Sequence, residues 1–134
     1  MKSLNANGLS MMHVASQGDA ANTLYYFHMM DQDLNKQDFR GSTPAHWACF
    51  TQSEVALSYL IQWNPDLTLQ DNEGNTPLHV AIKAADAINS SRVVRYLMVH
   101  GARTDITDDK GRTPIQLVSE IQNETLRRNL ETML

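Results

Sequence analysis

The chain is short of the features that mark several large functional classes. It has one cysteine, Cys49, in 134 residues. A single thiol closes no internal disulfide, which points to a reducing compartment. Positive charge is not in excess: 11 Lys and Arg stand against 15 Asp and Glu, a net charge of −4. A polyanion gains nothing from that balance, so neither nucleic acid nor an anionic lipid surface is an expected partner. No apolar run approaches the roughly 18 residues of a membrane span. Met1 to Gly8 contains no apolar stretch of the signal-peptide kind. Membrane insertion by this segment and secretion are therefore not expected. The sequons at Asn89-Ser90-Ser91 and Asn123-Glu124-Thr125 carry little weight for the same reason. What remains, 42% apolar and 19% charged residues, is the composition of one folded domain.

The order in the chain lies in its glycines. Gly8, Gly41, Gly74 and Gly111 are 33, 33 and 37 residues apart. They are too far apart to form a phosphate-cradling loop. Each begins a similar segment. Gly41-Ser42-Thr43-Pro44-Ala45-His46-Trp47-Ala48 matches Gly74-Asn75-Thr76-Pro77-Leu78-His79-Val80-Ala81. Gly111-Arg112-Thr113-Pro114-Ile115-Gln116-Leu117-Val118 keeps the pattern with Gln116 for the histidine, and Gly8 to Ala15 is a weaker copy. An aspartate sits three residues before three of the glycines, at Asp38, Asp71 and Asp108; Asn5 holds that place in the first copy.

Each position has a physical role. Thr43, Thr76 and Thr113 stand where a helix N-cap belongs, with hydroxyls able to accept from the first turn's orphan N–H groups. Pro44, Pro77 and Pro114 follow at the first helical position, where a missing N–H costs nothing. The glycines before them suit a tight turn at positive φ. Small Ala15, Ala48 and Ala81 let paired helices approach closely.

With period, turn glycine, Asp-x-x-Gly and T-P-x-H in one register, the chain resembles the ankyrin repeat family over nearly its whole length. The resemblance implies an all-α solenoid of four stacked turn–helix–helix repeats, near 5–37, 38–70, 71–107 and 108–134. It also implies that His46 and His79 tie neighbouring turns together. First helices are predicted near 10–17, 43–51, 76–85 and 113–120, and second helices near 20–30, 53–63, 91–100 and 123–133. Val55, Ala56, Leu57, Leu60 and Ile61 recur at helical spacing, as do Val93, Val94, Leu97 and Met98. One repeat cannot bury both its faces, so stacking must make the core continuous.

Two places depart from the pattern. The third repeat holds four extra residues within Lys83 to Ser91, about one helical turn. They either lengthen its first helix or form a longer loop before Ser90 or Ser91 caps the second. At the other departure Met11, Met12, Tyr25, Tyr26, Met29 and Met30 are more apolar than a polar capping repeat should be. Further repeats are therefore expected before this one, or a dimer formed through that face. The last helix, with Arg127, Arg128 and Glu131, reads as a closing cap.

Catalytic and metal readings are weak. His13, His46 and His79 share one repeat position, but stacked helices lie roughly 8–10 Å apart. Zinc wants its nitrogens about 2.0–2.1 Å from one centre. His46 and Cys49 are three apart, yet no orienting group or oxyanion hole accompanies them. Asp108-Asp109 and Asp31/Asp33 fall in turns, where Asp satisfies local backbone groups. Arg92, Arg95, Arg103, Arg112, Arg127 and Arg128 are spread among acids and read as solvated faces. No catalytic residue, metal or cofactor is expected.

Binding is the remaining reading, with a protein or peptide as partner. Stacked repeats make a concave surface. The resemblance places contacts on turn tips and facing first helices: Phe39, Arg40, Ser42, Phe50 and Thr51; then Asn72, Glu73, Asn75 and Lys83; then Asp109, Lys110 and Arg112. Trp47 either fills space between repeats or lines the groove, where with Phe39 and Phe50 it would offer an apolar anchor. Trp63, closing a second helix, is expected to pack under the loop that follows.

A narrower resemblance rests on Ser42-Thr43-Pro44-Ala45-His46-Trp47-Ala48-Cys49 followed by Ser53-Glu54-Val55-Ala56-Leu57-Ser58-Tyr59-Leu60. With the lengthened next repeat, these blocks resemble the ankyrin part of ankyrin-repeat DHHC palmitoyltransferases. That implies a cytosolic, substrate-recruiting module of a membrane S-acyltransferase, whose cysteine-rich catalytic segment this chain does not contain. The alternative is a soluble ankyrin adaptor or inhibitor.

Overall fold

The computed structural model describes residues 35–63 and 65–134. The expectations for the first repeat, its helices, His13 and its apolar face lie outside the described residues. Six helices are described: α1 (Pro44–Phe50), α2 (Glu54–Gln62), α3 (Pro77–Ile88), α4 (Arg92–Val99), α5 (Pro114–Ser119) and α6 (Glu124–Met133). Among the described residues there is no strand.

The odd-numbered helices begin in one way. Thr43, Thr76 and Thr113 are extended N-caps whose side chains accept from the N–H of His46, His79 and Gln116. The side chains of those three residues reach back to the cap N–H and complete a capping box. A proline stands at the start of each helix. The helix ends use left-handed residues. Gln52 and Asn89 both have φ 57°, and Gly101 has φ 80°. Asn tolerates that region better than most side chains.

The extra residues of the third repeat lengthen its first helix. α3 has 12 residues, against 7 in α1 and 6 in α5. Alanines at 84, 85 and 87 favour the continued helix, and left-handed Asn89 stops it before Ser91 precedes α4. Ser91 makes no side-chain capping bond; Ser90 Oγ accepts weakly from Arg92 N–H at 3.5 Å.

The helices form two layers. α1, α3 and α5 pack side by side, α2, α4 and α6 likewise, and each pair joins the layers. Between them runs one continuous core, from Ala48, Cys49, Leu57 and Leu60 through Leu78, Ala81, Ile82, Val94 and Leu97 to Val118, Leu126 and Leu130. Ala48, Ala81 and Val118 occupy one repeat position and are fully buried. Trp63 caps α2, packs partly buried against this core and tilts against Tyr59 with ring centroids 5.9 Å apart.

Candidate functional site

Among the described residues three aspartate turns project from the helix layers, and their aspartates build them. Asp38 Oδ1 accepts from the N–H of Arg40 and Ser42, both at 2.9 Å. Asp71 Oδ1 does the same for Glu73 and Asn75, and Asp108 Oδ1 for Lys110 and Arg112. Burial would raise the Asp108 carboxyl. The N–H groups of Arg112 and Lys110 and the Arg112 guanidinium outweigh it and hold that carboxyl below the usual aspartate value. These acids serve the backbone.

The turns are stitched into a row. Asn72 N–H donates to Arg40 O at 2.8 Å, and Asp109 N–H to Glu73 O at 3.0 Å. Gln37 Nε2 bridges Gly41 O and Gln70 O, and Gln70 Nε2 bridges Gly74 O and Thr107 O. The signal for these two glutamines was present in the sequence: they lie 33 apart, each just before a turn aspartate.

The histidines complete the stitching. His46 Nδ1 accepts from Thr43 N–H at 3.1 Å, which leaves the ring hydrogen on Nε2 to donate to Asn75 O at 2.8 Å. His79 repeats this, with Thr76 N–H at 3.2 Å and Arg112 O at 3.0 Å. Burial lowers the His79 pKa; the bond to Arg112 O and the charge of Asp108 oppose it only in part. Both rings are occupied from both sides.

Between the second and third repeats lies a groove of about 730 Å³. Of the residues expected to meet a partner, Arg40, Ser42, Trp47, Phe50, Asn72, Glu73, Asn75 and Lys83 line it. Val80, Ala84, Ala87 and Ile88 line it too, and were not foreseen, because the extra turn of α3 carries three of them. Trp47 is half-buried and lines this groove. Its Nε1–H donates to Asp38 Oδ2 at 2.8 Å, and Phe50 meets it edge-on with centroids 5.9 Å apart.

Several expected contacts lie outside the groove or, like Asn75, line it without being exposed. Phe39 is 69% exposed but does not line the groove, so it does not join Trp47 and Phe50 in one anchor. Its carbonyl is held at the tip by Asn72 Nδ2 at 2.8 Å. Asn75 is buried rather than offered: its Oδ1 accepts from Lys83 Nζ and its carbonyl from His46. Thr51 Oγ1 donates to Trp47 O at the end of α1. Asp109 and Lys110 are exposed on the last tip, and Arg112 is engaged by Asp108 and Glu120 at 3.1 and 3.2 Å.

Cys49 is fully buried, and burial pushes its thiol well above the usual value. Such a thiol is a poor nucleophile, and the neighbouring His46 has no ring nitrogen to spare. Among the described residues no three His, Cys, Asp or Glu side chains gather as a metal would need. No described helix is long and apolar enough to cross a membrane.

Residues 10–108 match a family model described as ankyrin repeats, three copies. No curated protein matches the chain. The turn and helix pair after residue 108 lie beyond that match, yet repeat the same turn and cap bonds.

Proposed function

The chain belongs to the ankyrin repeat family, and from that premise we propose that it holds a segment of another protein in the groove between α1 and α3. The supporting observation is the half-buried Trp47, fixed by Asp38 and Phe50 against an apolar wall from α3. A rigid aromatic with an open face gives much contact area at little entropic cost. The domain works by binding, and Cys49, His46 and His79 are committed to structure. Capture of proteins from cytosol by the wild-type chain, beside a Trp47→Ala/Phe50→Ala variant with unchanged circular dichroism, tests this. Partners should be lost with the variant; capture at equal strength removes the site.

The finer reading is that the module recruits substrates for a DHHC S-acyltransferase on the cytosolic face of a membrane. Its support is the pair of blocks Ser42–Cys49 and Ser53–Leu60 with the lengthened third repeat. The parent reading frame decides it: hydrophobic spans with a DHHC cysteine-rich segment sustain the reading. Their absence leaves a soluble adaptor or inhibitor.

A further inference from the structure

The general binding mode of stacked repeats does not dictate the chemistry of this groove, but the extra turn of α3 does. Val80, Lys83, Ala84, Ala87 and Ile88 lie three or four residues apart and form one stripe along the helix, all lining the groove. Facing it are Trp47 and Phe50. Ile88 is 54% exposed and Phe50 63%, so the end of the groove nearest the last turn of α3 is apolar and open to water.

The charge in that stripe is Lys83, and no carboxylate lies within ion-pair distance of it among the described residues. Its Nζ donates only to the neutral amide oxygen of Asn75, at 2.9 Å. Arg40, the other cation of the groove, has no ion pair there either. The two acids of the groove are placed differently. Asp71 spends Oδ1 on two N–H groups of its own turn, and Glu73 stands on the exposed tip. Neither acid makes an ion pair among the described residues, but both belong to the turn at 71–75, whereas Lys83 is the charge that stands within the apolar stripe of α3.

We propose that the occupant is a short acidic–aliphatic segment of another protein. A bulky aliphatic side chain sits between the Trp47–Phe50 rings and the last turn of α3, and a carboxylate on a neighbouring residue meets Lys83. This rests on the docking reading of the groove given above.

The test begins with a phage-displayed library of random decapeptides selected on the full chain. Fluorescein-labelled synthetic peptides then carry the selected aliphatic residue beside Glu, Gln or Lys, and binding is read by anisotropy. The Glu peptide should bind about fivefold or more tighter than the Gln peptide, and the Lys peptide weakest. Lys83→Glu should invert that order, Ile88→Ser should weaken all three alike, and Glu73→Gln should leave the Glu peptide bound as well or better. Equal binding of the three peptides, or indifference to Lys83→Glu, overturns the proposal. So does a library that yields no Lys83-dependent binder. If binding still needs Trp47 while the charge order is absent, the docking reading stands and only this inference fails. If no binder depends on Trp47, both fail. A dimer in sedimentation equilibrium that dissociates on Ile88→Ser also overturns it, by showing that a second copy fills the groove.

Discussion

The turn at residues 71–75 and the turn at 108–112 share one backbone and differ in what stands beyond them. Each has an aspartate accepting from two N–H groups, a positive-φ glycine (φ 79° and 74°) and a threonine cap. A Cβ on Gly74 would come within 2.5 Å of Asp109 N, whereas one on Gly111 would meet nothing within 4 Å. His79 reaches across to Arg112 O, whereas Gln116, in the same place, closes only its own cap. The local code builds the turn, and contact between repeats turns a local preference into a requirement.

The sharpest way to break that comparison is at the glycines. Gly111→Ala meets only the left-handed penalty and should cost about 1–2 kcal/mol. Gly74→Ala adds a backbone clash and should cost about 3 kcal/mol or more. Urea unfolding midpoints measure both; equal losses would show that the packing of one turn on the next is not as described.

The next largest effect is at the N3 residues. His79→Ala leaves Arg112 O and the Thr76 N–H without their ring partner and should cost about 2–3 kcal/mol. Gln116→Ala, on an exposed cap, should cost about 0.5–1 kcal/mol. Denaturant titration of the pair sharpens the contrast, and similar losses would contradict it.

A pH titration of stability tests the same ring. The His79 pKa is lowered in the fold, so near neutral pH it is uncharged in both states. As pH falls below the ordinary value of 6.5, the unfolded chain takes a proton that the fold refuses. Stability then drops until the lowered pKa is passed, by at most about 1.4 kcal/mol per pH unit. The difference between wild type and His79→Gln should appear in that window and be flat above it.

The smallest change is expected at the surface. Arg128→Ala removes an exposed pair with Glu124 and should shift stability by about 0.5 kcal/mol or less. A larger loss would mean that the outer face of α6 is more than solvated.

Turns, caps and helix order were legible because the residues that specify them act within a few positions. Thr43-Pro44, Thr76-Pro77 and Thr113-Pro114 each start a helix, and Asp38 with Gly41 makes a turn from its own atoms. The groove was legible only in part. Whether Lys83 to Ser91 continued a helix or looped depended on Asn89 accepting φ 57° and on three alanines, which sequence spacing alone left open. The tip residues shared a repeat position, but that did not say which way each side chain turned. Phe39 therefore stayed outside while Ile88 came in.

Amide hydrogen exchange of the full chain with and without a library-selected peptide tests the central claim most directly. The claim requires new protection in the turn at 71–75 and along α1 and α3, with α2 and α4 unchanged. Protection gathered on Glu54–Gln62 and Arg92–Val99 instead would place binding on the opposite layer and contradict it.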